Sequence, residues 1–211
     1  MFITGCDSST EWMLPWFIEN FKAHNTISLA VYDFGNISPK IRALLDQNNV
    51  QYRACSSKLS GWANKPAAMV DANIFSHNNC WLDTDCEVLG DLSRVFDWVT
   101  PDRLCMCEDL PWSRRRGETW HNSGVVAYAG IPRILALWAK WMSQSPTAAD
   151  QDVLHAYLRV EINRLVNVTT LPPEYNWLRL MLVDGLDSPS KKVMHWTGQK
   201  GKLRIKEMMQ Q

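Results

Sequence analysis

The first 55 residues alternate between apolar runs and apolar residues at helical spacing, and this strand–helix–strand–helix–strand order restricts the fold more than any other feature. Phe2-Ile3-Thr4-Gly5 is a short β-type run. Trp12, Met13, Trp16, Phe17 and Phe21 then recur on one helical face, with Ser9 or Thr10 available as N-cap. Ile27 to Tyr32 reads as a buried strand ending at Asp33-Phe34-Gly35. A helix follows from Pro39 to Gln47, and Val50 to Cys55 alternates like a strand. Such an order implies a parallel sheet covered by helices.

Further along, Lys65 to Ile74 reads as a helix, Asn79 to Leu82 as a buried strand ending in acids, and Leu104 to Cys107 and Ser123 to Tyr128 as strands. Ile131 to Met142 and Gln151 to Tyr157 read as helices; the stretch from Leu165 onward is mixed. A length of 211 residues suits one α/β domain spanning residues 1–211. Lys plus Arg and Asp plus Glu both number 22, so no global charge draws the chain to nucleic acid. No apolar run is long enough for a membrane span, and Met1 does not open a secretory leader. The expected setting is cytoplasmic, with no stable membrane insertion. The six cysteines form no Cys-x-x-Cys pair and read as reduced core thiols, and core packing accounts for most of the eleven tryptophans.

Ligands of open α/β sheets bind beyond the carboxyl ends of the strands. The residues there are Thr4, Gly5 and Asp7 after the first strand, Asp33 after the second, and Asp83, Thr84 and Asp85 after Cys80-Trp81-Leu82. Two acids leaving a buried strand need a positive partner, and a divalent cation such as Mg²⁺ or Mn²⁺ suits hard oxygen ligands. Asp33 can equally cap the helix that follows it.

Trp81-Leu82-Asp83-Thr84-Asp85-Cys86-Glu87-Val88 resembles the metal-binding Asp-x-Asp segment of GT-A-fold glycosyltransferases. Five further segments resemble that family in order. They are Phe2-Ile3-Thr4-Gly5, Trp62-Ala63-Asn64-Lys65-Pro66-Ala67-Ala68, His121-Asn122-Ser123-Gly124-Val125-Val126, Asp150-Gln151-Asp152-Val153-Leu154 and His195-Trp196-Thr197-Gly198-Gln199-Lys200. The fourth is similar to the Asp-Gln-Asp segment of the family 8 retaining transferases, the group containing glycogenin and bacterial galactosyltransferases, and Leu171-Pro172-Pro173-Glu174-Tyr175-Asn176 also resembles that group.

The resemblance implies a mainly parallel mixed sheet flanked by helices and a metal-dependent transfer of glucose or galactose from a UDP-sugar. The acceptor would be a glycan, lipid or small molecule. It implies Asp83, Asp85 and His195 as ligands of Mn²⁺ or Mg²⁺, and Asp150, Gln151 and Asn122 beside the donor sugar. Thr4, Gly5, Asp7, Asp33, Lys65, Thr84 and Gly198 fall on the donor side, Lys65 as a partner for phosphate or nucleoside. The family commonly has a lysine six residues after the histidine. Gly201 stands there, so the diphosphate contact passes to Lys200 or Lys202. An amide such as that of Gln151 is a poor nucleophile, so front-face transfer with retention fits. Inversion would need Asp150, Asp152 or Asp109 as base. Asp150 has a plainer reading as a helix cap. Arg114-Arg115-Arg116, read as a loop with Trp112 and Trp120, suits sugar stacking, an anionic acceptor or plain solvation. Two other classes compete: a nucleotidyltransferase, which normally carries a cation near its first strand where Thr4 to Thr10 has none, and a binding module without turnover.

Overall fold

The computed structural model describes residues 1–210. In chain order its strands are β1 (Phe2–Asp7), β2 (Leu29–Gly35), β3 (Gln51–Ala54), β4 (Asn78–Leu82), β5 (Cys86–Val88), β6 (Leu104–Glu108), β7 (His121–Ala129), β8 (Val168–Leu171), β9 (Trp177–Leu178) and β10 (Val193–His195). The helices are α1 (Leu14–His24), α2 (Pro39–Gln47), α3 (Lys65–Ala72), α4 (Leu110–Arg116), α5 (Arg133–Gln144), α6 (Asp150–Leu158), α7 (Glu161–Asn167), α8 (Arg179–Val183) and α9 (Gly198–Met208). Seven strands form one sheet in the order β3-β2-β1-β4-β7-β6-β8, and β5-β10-β9 form a second. In the large sheet only β7 runs against its neighbours β4 and β6; the other pairs are parallel.

Period-two alternation explains why the central strands read as continuous apolar runs. Phe2, Leu29, Val31, Cys80, Leu82, Val125 and Ala127 point into a core closed by α1 and α2. Ile3, Ala30, Tyr32, Trp81, Val126 and Tyr128 point into an opposite core closed by α3, α5 and α6. A sheet covered on both sides has no polar face to show. All six cysteines are buried and free, in accord with core thiols. Among the described residues no helix is long and apolar enough to cross a membrane.

Three local expectations change. Thr10 stands at the cap position of a 3₁₀ turn, Glu11–Met13, that leads into α1, but its hydroxyl bonds back to Asp7 and caps nothing. The Arg114-Arg115-Arg116 run is not a loop: it ends α4, which Asp109 caps through Trp112 N–H at 3.1 Å, Pro111 enters and Gly117 closes. The mixed stretch from Leu165 onward resolves into the end of α7, β8 at the sheet edge, and the β9, α8, β10 and α9 elements. These last elements fold back on the acid-bearing turn.

The return rests on a close approach. A Cβ on Gly201 would lie 1.9 Å from the Trp196 carbonyl oxygen, so α9 seats against β10 only because residue 201 lacks a side chain. Gly201→Ala should therefore lower stability by about 1–3 kcal/mol, as overpacking does. Thermal denaturation beside the exposed-site control Lys200→Ala, expected to be neutral, measures this.

Candidate active site

Asp83, Thr84 and Asp85 form the turn between β4 and β5. The ladder holds Asp83 in place, its N–H bonding to the Gly124 carbonyl at 2.8 Å, and Cys86 N–H closes the turn on the Asp83 carbonyl at 3.0 Å. β5 then pairs antiparallel with β10, setting His195 opposite Cys86. Trp196 N–H continues the ladder to the Asp85 carbonyl at 2.9 Å. A histidine from the far end of the chain is thus delivered to the acids by backbone pairing.

His195 Nε2 lies 3.1 Å from Asp85 Oδ1 and 3.8 Å from Asp83 Oδ2. Cis ligands of an octahedral Mg²⁺-type ion at 2.0–2.1 Å stand about 3 Å apart, a spacing that His195 Nε2 and Asp85 Oδ1 already have; Asp83 approaches the imidazole but lies outside the tightest cluster of ligating atoms, so it must move inward to share an ion. Cys86 Sγ shares the cluster with Asp85 and His195. Burial pushes its thiol far up, and with it neutral the hard donors remain two carboxylates and an imidazole. Burial alone would favour the neutral forms of Asp85 and His195. Their mutual attraction outweighs it, holding Asp85 below the carboxylate range and raising His195. When protonated, the imidazole supplies the positive charge that a cation otherwise brings.

Asp83 and Asp150 are joined by Lys65, which is only 3% exposed. Its ammonium donates to Asp83 Oδ1 at 2.9 Å, Asp150 Oδ2 at 3.1 Å and Ser123 Oγ at 3.2 Å. An ammonium has three donors, and all three are in use. Lys65 is therefore a buried strut between two acids, neither a solvated lysine nor a group with a donor free for phosphate. Desolvation opposes its charge, but Asp150 and Asp83 raise its pKa well above the ordinary lysine value. Trp81 Nε1 also donates to Asp83 Oδ1, at 2.7 Å, which leaves Oδ2 to face His195. Asp150 does not cap α6. Ala149 holds that position, while Asp150 Oδ2 also accepts from Ser123 Oγ at 2.8 Å.

Gln151, next on α6, reaches β7. Its Oε1 accepts from Asn122 Nδ2 at 3.1 Å and Ser123 N–H at 3.2 Å, and its Nε2 donates to Asp109 Oδ2 at 3.4 Å. Asn122 Nδ2 donates to the same Asp109 oxygen at 3.2 Å. Burial raises the pKa of Asp109, which is 2% exposed.

Two cavities meet at these acids. One, about 250 Å³, is lined by Gly5, Asp7, Phe34, Trp62, Lys65, Asp83, Thr84, Asp85, Asp150 and Lys202, among others. The other, about 330 Å³, is lined by Asp83, Asp85, Asp109, Trp112, Asn122, Asp150, Gln151, Asp152, His195 and Gly198, among others. The expected site residues can be placed against them. Twelve come to these walls or the network behind them: Gly5, Asp7, Lys65, Asp83, Thr84, Asp85, Asn122, Asp150, Gln151, His195, Gly198 and Lys202. Lys202 reaches the first cavity, while Lys200 lies exposed on α9 and lines neither, which separates the two lysines left open by the sequence.

Thr4 and Asp33 stand apart. Thr4 is fully buried in β1, and its hydroxyl has no partner. Asp33 accepts from Gly35 and Ile37 N–H, Tyr52 Oη and Arg42, so its carboxylate organises the turn after β2; it does not cap the helix that follows, where Ser38 Oγ accepts from Ile41 N–H. Asp7 Oδ1 accepts from Ser9 and Thr10, which lowers its pKa against the opposing effect of burial, and it stays on the cavity wall. Of the arginine run, Arg115 pairs with Asp184 and Arg116 lies over Trp112. The sequence reading missed Asn176, whose Oδ1 lies 3.0 Å from His195 Nδ1. Asparagine between two turns reads as loop chemistry, and only the resemblance of its segment pointed there.

No family model and no curated protein matches the chain. Solved structures do match its fold. The galactosyltransferase LgtC, solved with donor and acceptor sugar analogues, superposes with a TM-score of 0.64 at 17% identity, over 98% of this chain and 94% of that one. The glycosyltransferase GlyE of Streptococcus pneumoniae TIGR4 gives 0.64 at 16% identity; the match covers 94% of this chain and 55% of that one. Mouse xyloside xylosyltransferase 1 gives 0.57 at 9% identity, over 92% and 96% of the two chains. The fold is therefore the GT-A fold of these glycosyltransferases.

The ring of His195 packs directly on β7. A Cβ on Gly124 would lie 2.1 Å from His195 Cε1 and 2.4 Å from Nδ1. Gly124→Ala must displace the imidazole from the acids. The expected result is loss of Mn²⁺ binding by at least about 10-fold, as second-shell changes at metal sites cost. Titration of Mn²⁺ followed by electron paramagnetic resonance checks it, with retained circular dichroism as the folding control.

Proposed function

We propose that this chain is a divalent-metal-dependent glycosyltransferase that moves a hexose from a UDP-sugar to an acceptor hydroxyl with retention of configuration, acting in the cytoplasm. The observation that carries the reading is the convergence of Asp83, Asp85 and His195 where two cavities adjoin. That plan suits a nucleotide on one side and an acceptor on the other. LgtC, of the same fold, was solved with both kinds of sugar analogue, and one of its solved variants changes an active-site glutamine to glutamate, the residue type proposed here at Gln151.

In this reading Asp83 Oδ2, Asp85 Oδ1 and His195 Nε2 hold Mn²⁺ or Mg²⁺. The bound ion supplies Lewis-acid neutralisation of charge on the departing diphosphate. Gly5, Asp7 and Thr84 line the nucleoside end, and Lys202 adds a point charge beside the diphosphate. Asp150 Oδ1, left free by Lys65, orients a sugar hydroxyl. Both lone pairs of Gln151 Oε1 accept hydrogen bonds from Asn122 and Ser123, so this oxygen is poorly placed to attack carbon. Its spare N–H and its fixed position suit binding the sugar face, while the acceptor approaches on the side of the leaving group. Trp112 and Asp152 on the second cavity meet a glycan, lipid or small-molecule acceptor. An inverting course has one observation in its favour: burial makes Asp109 more basic than an ordinary carboxylate, as an acceptor-deprotonating group would need to be.

Asp83→Asn keeps an acceptor for Lys65 and Trp81 but removes the anionic ligand. It should abolish the Mn²⁺-dependent thermal shift given by UDP, which for a ligand at 100 times its Kd corresponds to about 2.7 kcal/mol. An undiminished shift contradicts the assignment. Gln151→Ala should lower kcat by about 10- to 100-fold or more with a smaller change in donor KM, in UDP-release assays across UDP-glucose and UDP-galactose. Unchanged kcat would remove Gln151 from the sugar, and inverted product stereochemistry would move the reaction to Asp109.

A further inference from the structure

His195 can bind an ion only through Nε2, the nitrogen that faces Asp83 and Asp85, and a neutral imidazole has two tautomers. The buried amides behind it leave one choice. Asn122 Oδ1 accepts from the Gly124 backbone N–H at 2.9 Å. A backbone N–H cannot reverse its role, so this end of Asn122 must be the oxygen. The opposite end then donates to Asp109 Oδ2 and Gln151 Oε1, which fills its two N–H groups. Asn176 Nδ2 donates to the remaining lone pair of Asn122 Oδ1 at 2.8 Å. That fixes Asn176 in turn, with its own oxygen 3.0 Å from His195 Nδ1. An amide oxygen only accepts, so Nδ1 must carry a proton whether or not Nε2 also donates to Asp85; when an ion displaces the Nε2 proton, the lone pair stands on Nε2.

We infer that Asn176 is a positioning residue that holds His195 in the Nδ1–H tautomer, with Nε2 free for a metal ion. Its own orientation is dictated through Asn122 by the Gly124 backbone N–H. The inference rests on the metal-site reading above and deepens it. Asn176 is 1% exposed, so water does not compete for either of its bonds. The chain of amides also ties the imidazole to Gln151 and Asp109, so the metal side and the sugar side share one buried network. Gly124 takes part twice, by its N–H and by the missing side chain that admits the imidazole.

The experiment uses the full chain with ¹⁵N-labelled histidine. In the Mg²⁺-loaded protein, the His195 signals should show a protonated Nδ1 and a bare Nε2. Mn²⁺ affinity, followed by electron paramagnetic resonance, should fall about 10- to 100-fold in Asn176→Ala, the usual cost of losing such a partner. Asn176→Asp keeps an acceptor for Nδ1–H but offers no N–H to Asn122. It should retain Mn²⁺ binding within about threefold of the original, well inside that second-shell range, while UDP-sugar turnover falls, and it carries the test if Asn176→Ala does not fold. A protonated Nε2 with bare Nδ1, unchanged Mn²⁺ affinity in Asn176→Ala, or equal loss of Mn²⁺ affinity in Asn176→Asp each overturns the inference. A protein that binds Mn²⁺ with the predicted tautomer but turns over no UDP-sugar upholds it and removes the proposed transfer instead.

Discussion

Three carboxylates, Asp83, Asp85 and Asp150, are held within one small volume at the end of the central strand, and the structure around them serves to make that tolerable. Lys65 neutralises two of them from inside the protein, with every ammonium hydrogen engaged. His195 answers the third. Buried charge of this density survives only when paired and hydrogen-bonded, and removing either cation would leave acids uncompensated. The arrangement also leaves one oxygen of Asp83 turned toward His195, where additional positive charge is welcome. In the proposed reading, this near-balance is what admits a divalent ion.

Backbone geometry, not side-chain reach, assembles the group. β4 carries the acids to the carboxyl end of the sheet, β7 runs beside it, and the β5–β10 ladder returns His195 from the end of the chain. Two glycines permit the close contacts, Gly124 under the imidazole and Gly201 of α9 against the Trp196 carbonyl. The site is consequently built on rigid elements, with Gln151 and Asp150 at the start of a helix pinned to β7 from above.

Much of this was legible in the residues. Continuous apolar runs announced strands buried on both faces, and acids leaving Trp81-Leu82 marked the strand end where ligands bind. The rule that ligands bind beyond strand ends led to Asp7 and Asp83, which line a cavity, but could not tell which side each residue faces. Thr4 therefore fell in the interior, and Asp33 was absorbed by its own turn. Lys65 was visible as a charge, but that its three hydrogens are all satisfied inside the fold depends on residues as distant as Ser123 and Asp150. The β7 reversal and the β10 return are long-range pairings with no local signal. The helix through Arg114-Arg115-Arg116 was a different case: Asp109, Pro111 and Gly117 spelled it out, and the charge run obscured it.

Anomalous diffraction from a crystal of the protein soaked with Mn²⁺ and UDP tests the central claim most directly. The account predicts one manganese peak within bonding distance of Asp83, Asp85 and His195 Nε2, about 2.0–2.2 Å as for other hard divalent ions, with diphosphate oxygens completing its shell. A peak elsewhere, or UDP bound with that position bare and His195 still paired to Asp85 alone, would contradict it.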